Sequence, residues 1–193
     1  MFSKTNFIAL EQEVRSRMSE RRYLHSLGTA QTCVNLAQQF NEDISLDECY
    51  ECGLLHDIAR EWPDAKLQGY SKEHQLVLEP EEKLIPMLLH GPVAADILKQ
   101  RYSPSLCLAV RYHTLGSIYM GRMGLILFIA DFLEPGRTHL SGDQRDSLLA
   151  KKSLEEVCSG LLDNQDAYFE SKGKSSAFTS VALRKFLREG GEL

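Results

Sequence analysis

Residues 45–60 read Ser-Leu-Asp-Glu-Cys-Tyr-Glu-Cys-Gly-Leu-Leu-His-Asp-Ile-Ala-Arg, and this stretch decides the fold class. Ser45 and Glu48 stand three apart, the spacing of a capping box in which hydroxyl and carboxylate each take an orphan amide of a first helical turn. The apolar run behind them predicts a helix ending near Arg60. The same helical periodicity extends outward in both directions. No alternation of apolar and polar residues is long enough for a strand, so the chain reads as all-α.

Upstream, Thr5 or Asn6 is expected to cap a helix through Met18, followed by a helix over Tyr23–Phe40 with Leu24, Leu27, Val34 and Ala37 near one face. Downstream, Pro63 stops the chain, and Asp64–Leu78 reads as a short helix and loop. Pro80, Pro92 and Pro104 suit first helical turns, predicting helices near 81–90, 92–102 and 104–113. The run 123–133 predicts a buried helix stopped by Glu134-Pro-Gly-Arg137. A second box, Ser153 with Glu156, opens a helix to Ser171, and Ser180–Arg188 closes the chain. No repeat or linker divides the 193 residues, which are expected to form one domain, 1–193.

With 22 basic and 27 acidic residues the net charge is −5, and 43% of the chain is hydrophobic. That composition can bury a core unaided. It offers no basic footprint for a nucleic-acid platform. No apolar run approaches the roughly 20 residues of a bilayer span, so no membrane partner is expected. The start, Met1-Phe-Ser-Lys-Thr-Asn, has no signal-peptide core, and a cytoplasmic protein is expected. Five cysteines, an odd count among apolar neighbours, suit reduced buried thiols. Cys49 and Cys52 form a C-x-x-C, which lacks the strand of a redox motif and the fourth ligand of a zinc site; packing is the expected role.

His56-Asp57 sits at the end of an apolar run, where two polar side chains are costly without partners. A cation is an economical partner, since imidazole and carboxylate suit Fe, Mn, Zn or Mg. Neighbouring helix positions point about 100° apart, so both reach one ion only where the helix ends. Further candidates recur at helix-length intervals: His25, His90, His113 and Asp131. Taken singly, each histidine is better explained by a structural hydrogen bond, and Asp131 equally well by a cap or a pair with an Arg. His74 and His139 lie in polar sequence and read as surface residues, and Trp62 beside Pro63 reads as sealing the core edge.

The order His, His-Asp, His, His, Asp resembles the HD-domain phosphohydrolases, and within them the branch of symmetrical bis(5′-nucleosyl)-tetraphosphatases. The matching pieces are residues 53–60, Leu89-His-Gly-Pro-Val-Ala-Ala, His113-Thr-Leu-Gly and Phe128-Ile-Ala-Asp-Phe-Leu-Glu-Pro-Gly-Arg, with weaker likeness at Lys172-Gly-Lys. The resemblance implies a single HD helical bundle: residues 21–137 as the metal-binding core, 138–193 as helices packing on it. It implies His25, His56, Asp57 and Asp131 as metal ligands, with iron first and Mn, Mg or Zn as alternatives, one ion or two. His90 and His113 would bind a second metal, contact phosphate or move a proton, with Asp57, His90 and His113 as the catalytic set. Arg60 and Arg137 are expected on phosphates, because a guanidinium fork matches phosphate oxygens. Thr114 and Gly116 are expected against the nucleotide. The implied activity is metal-dependent hydrolysis of diadenosine tetraphosphate to two ADP, with a homodimer as the implied assembly. Another nucleotidase or phosphodiesterase of the superfamily, or a purine-nucleotide sensor without turnover, are the alternatives. The chain departs from the family's habit at Gly124-Leu125 and at Ala177-Phe178.

Overall fold

A computed structural model describes residues 7–137 and 140–193; the proposed cap at Thr5 or Asn6 and His139 lie outside them. Among the described residues the chain is all-α: α1 Ile8–Arg15, α2 Glu20–Gln39, α3 Leu46–Leu55, α4 Asp64–Glu73, α5 Pro80–Leu84, a 3-10 segment Pro86–Leu89, α6 His90–Leu98, α7 Pro104–Tyr112, α8 Gly121–Leu133, α9 Gly142–Leu149, α10 Leu154–Ser171 and α11 Phe178–Arg188. None of these helices is long and apolar enough to cross a membrane.

α8 is the axis of the bundle. Every residue from Met123 to Ala130 is buried, the pattern of a helix apolar all round and therefore interior. α2, α3 and α7 pack around it, α6 packs on α7, α10 lies against α8, and α11 lies on α10. The tightest crossing is that of α2 and α3. A Cβ at Gly53 would lie 2.5 Å from Ala30 Cα and 2.6 Å from Ala30 N, so only glycine allows the two backbones to meet there. That contact sets His56, three residues after Gly53, beside His25 on α2.

The structure corrects several boundaries. α3 ends at Leu55, not near Arg60, because the backbone tightens to three-residue bonds: Ile58 N–H to Leu55 O (3.2 Å), Arg60 N–H to Asp57 O (2.9 Å) and Trp62 N–H to Ala59 O (3.1 Å). The helix expected over 81–90 is broken at Ile85, which is extended (φ −122°, ψ 93°) because it precedes Pro86. α6 accordingly starts at His90 and stops at Leu98, short of the expected 102. Only the serine half of each predicted box forms. Ser45 and Ser153 accept from the Glu48 and Glu156 amides, whereas the Glu156 carboxylate accepts from Lys152 N–H. Leu24, read on one face with Leu27, Val34 and Ala37, is 56% exposed, because it stands at the edge of that face and lines a cavity. His74 closes α4 and stacks on Tyr70, 3.9 Å between ring centres. Trp62 packs partly buried against the core with Lys66 over its ring.

Candidate metal centre

Four histidines converge from four elements, and in each the Nδ1 side is already engaged. His25 Nδ1 faces Glu134 Oε1 at 3.1 Å. His56 Nδ1 faces Gly53 O at 2.7 Å, His90 Nδ1 faces Met87 O at 2.5 Å, and His113 Nδ1 faces Val110 O at 2.7 Å. Carbonyl and carboxylate oxygens only accept, so each Nδ1 carries the proton. All four Nε2 lone pairs are thereby aimed inward.

They point at two carboxylates. Asp57 Oδ2 lies 3.6 Å from His25 Nε2 and 3.4 Å from His56 Nε2. Its other oxygen, Oδ1, lies 3.3 Å from His90 Nε2 and 3.6 Å from His113 Nε2. Asp131 Oδ1, from α8, is 3.0 Å from His25 Nε2 and 3.8 Å from His56 Nε2. His90 Nε2 and His113 Nε2 are 3.1 Å apart. His25 Nε2 and His56 Nε2 are buried without any hydrogen bond. Lone pairs facing carboxylate oxygens across 3–4 Å repel unless a cation lies between them. The donors sort into three overlapping groups whose atoms lie within 4.8 Å of one another: His25, His56 and Asp57; His56, His113 and Asp131; Asp57, His90 and His113. The donor set fits a divalent metal: buried, mixed imidazole and carboxylate, with the Nε2 atoms of His25 and His56 unclaimed.

The end of α3 makes this possible. His56 is the C-cap residue and Asp57 the first residue of the following turn, so the two side chains leave the helix in directions that let both reach one point. His56 is 0% exposed and Asp57 3%. Burial pushes the Asp57 carboxyl up, yet positive charge placed among the imidazoles of His56, His113 and His90 around it holds it well below the usual carboxylate range. Burial also works against ionised Asp131, and positive charge at His25 and His56, with the Arg137 guanidinium, keeps it low. His90 goes down from its ordinary value, first through burial and then through His113, against the pull of Asp57.

Two residues that sequence reasoning passed over complete the centre. Arg22 Nη1 donates to Asp57 Oδ2 at 2.6 Å, and Glu134 holds His25. Arg22 was findable as the residue one turn before His25 on the same helix face. In the sequence Glu134 reads only as part of the helix stop. Arg137, expected on a phosphate, pairs its Nη2 with Asp131 Oδ1 at 2.5 Å. Arg21, Arg22, Leu24, Gly28 and Arg137 line a cavity of about 480 Å³ beside His25.

Other candidates lie further out. Arg60 directs its guanidinium to Met87 Sδ, 2.9 Å away, so it meets the centre only through the residue whose carbonyl holds His90. Thr114, next to His113, buries an Oγ1 that has no partner. Gly116 has the left-handed φ of 69° and faces Leu183, so it shapes the turn after His113 and leaves no open space there. Leu125 is fully buried, which makes it a core residue of α8. Phe178 is 73% exposed at the start of α11, with its N–H on Glu81 Oε1 at 2.6 Å. Cys49 and Cys52 are fully buried free thiols, and burial pushes Cys49 up to about 12.

The model of the HD domain matches residues 22–154. The chain is 34% identical over 152 residues, 74% of each chain, to the symmetrical bis(5′-nucleosyl)-tetraphosphatase of Staphylococcus aureus. It is 27% identical over 166 residues, 83% of this chain and 86% of the other, to the protein of the same name from Bacillus subtilis. A crystal structure of a predicted HD superfamily hydrolase involved in NAD metabolism from Clostridium acetobutylicum superposes with a TM-score of 0.82 at 28% identity. It covers 98% of this chain and 99% of that one.

Proposed function

The chain belongs to the HD domain family, and on that premise we propose that it is a metal-dependent phosphohydrolase cleaving diadenosine tetraphosphate, or a close dinucleoside polyphosphate, symmetrically into two nucleoside diphosphates. The observation that carries the reading is the inward Nε2 of four Nδ1-tethered histidines around Asp57 and Asp131. The substrate class is supported by the names of the relatives. In this reading residues 21–137 form the metal-binding core, 138–193 cover it, and the protein is a cytoplasmic homodimer.

His25, His56, Asp57 and Asp131 hold the ion, for which a mixed imidazole and carboxylate set suits iron, with manganese, magnesium and zinc the other outcomes of metal analysis. Such an ion, when bound, acidifies water and polarises a phosphoryl oxygen. The protein's own groups do the rest. Arg22 and Arg137 border the cavity beside His25, where their forks take phosphate oxygens and offset the charge that grows on them. Arg60 serves an outer phosphate and Thr114 Oγ1 offers a buried donor. His90 is neutral near pH 7 because burial opposes its charge, so its Nε2 can take the proton that water sheds and share it with His113 Nε2. In the balanced reaction a water oxygen bonds to one of the two central phosphorus atoms. The bond from that phosphorus to the bridging oxygen breaks, and the leaving diphosphate carries the bridging oxygen away on the other central phosphorus.

A two-ion version of the same centre is favoured by one observation. Asp57 turns one oxygen to His25 and His56 and the other to His90 and His113, so it would be shared by the two pairs of histidines if each held an ion. Metal content measured beside turnover of diadenosine tetraphosphate tests the proposal. Wild type should bind one or two ions per chain and lose turnover on chelation, and Asp57→Ala should lose both. Full activity of Asp57→Ala in metal-replete conditions would overturn the assignment.

A further inference from the structure

We infer that Glu134 is a positioning residue of the metal centre, fixing the tautomer and aim of His25; the inference rests on the metal reading above. Three of the four inward histidines are held by carbonyls of their own chain segment: Gly53 O, Met87 O and Val110 O, each three residues upstream. His25 is different. It lies within α2, where the backbone carbonyls are engaged in the helix, and its Nδ1 is met instead by a carboxylate from 109 residues away.

The receptacle for that carboxylate is built into the chain. Glu134 is 4% exposed. Its Oε1 accepts from His25 Nδ1–H, and its Oε2 accepts from Gly136 N–H at 2.6 Å. A Cβ at Gly28, one turn after His25, would stand 2.7 Å from Oε2, and one at Gly136 would stand 2.9 Å from it. The glycines on both walls therefore leave room for this one carboxylate. Arg145 of α9 closes the loop from outside, donating to Glu134 O at 3.4 Å and Arg137 O at 3.1 Å. The loop thus carries two groups to the centre at once, Glu134 to His25 and Arg137 to Asp131. A carboxylate on the far nitrogen of a ligating histidine fixes ring orientation and raises ligand basicity. Glu134 supplies that partner to the one histidine whose local backbone cannot.

The test is direct metal titration of the purified chain, followed by nitrogen NMR of its histidines with His25 assigned by its loss in His25→Gln. Glu134→Ala should weaken Mn²⁺ binding by about 10–100-fold, the usual effect of losing such a partner, and the His25 Nδ1–H signal should vanish into tautomer exchange. Glu134→Gln keeps an acceptor for His25 and should retain more affinity than the alanine variant, and it remains informative if Glu134→Ala does not fold. Metal affinity within about twofold of wild type, together with an unchanged His25 tautomer in whichever variant folds, would overturn the inference. Absence of Mn²⁺ binding by the wild type would overturn the metal reading instead.

Discussion

Replacing Gly53 by alanine asks whether one backbone crossing sets the geometry of the centre. The added Cβ would meet Ala30 Cα at 2.5 Å, Ala30 N at 2.6 Å and Thr29 C at 2.9 Å, where ordinary contact begins near 3.4 Å. α2 and α3 must then part by roughly 0.9 Å (3.4 − 2.5), because all three obstructing atoms are backbone and none can rotate away. Overpacking of this kind costs about 1–3 kcal/mol, offset in part by the roughly 1 kcal/mol by which alanine is the better helix former. A net loss of up to about 2 kcal/mol lowers Tm by up to roughly 8 °C in a chain of this size. The catalytic effect should be larger. His56 rides on α3 and His25 on α2, and a misplacement of about 1 Å at a reacting centre costs on the order of a hundredfold in rate. Calorimetry and steady-state turnover at saturating metal read the two effects separately. A Gly53→Ala protein that melts and turns over as the wild type does would refute the claim that this crossing positions the ligands.

With Arg137 on a phosphate as proposed, Arg137→Ala should lower kcat/KM by about 10–100-fold with metal content unchanged; loss of the metal instead would make Arg137 a support for Asp131 alone. Cys33, Cys49, Cys52 and Cys158 are buried thiols pushed up by burial. In the native protein at pH 8 a disulfide reagent should therefore spare these four and reach the partly exposed Cys107 first; rapid reaction of Cys49 or Cys52 would contradict their placement. Burial opposes ionised Asp96, but Lys99 and Tyr70 hold its carboxyl below its ordinary value. Its contribution to stability is therefore present above the unfolded carboxylate pKa near 3.9 and is lost as pH falls through the lower folded value. Asp96→Asn should flatten that acid-side fall in urea midpoints, and an unchanged slope would remove the pair from the account.

The helical class and the heart of the centre were legible because apolar periodicity and buried polar residues are strong signals. His56-Asp57 in Gly-Leu-Leu-His-Asp-Ile-Ala could not be cheap without a partner, and the structure supplies one in the convergence of His25, His90, His113 and Asp131. What the residues alone did not reveal was pairing at long range. Glu134 and Arg22 look like ordinary surface charges, and only folding brings them to His25 and Asp57. The break at Ile85 follows from Pro86, a local rule that the apolar count overrode. α9 was passed over although Ser141 and Gln144 form a complete capping box, because its eight residues carry little apolar periodicity.

Product analysis after a single incubation tests the central claim most directly. Metal-replete enzyme should convert diadenosine tetraphosphate to ADP as the sole nucleotide product, with no conversion after chelation. Equal amounts of ATP and AMP, or ADP formation indifferent to chelation, would contradict it.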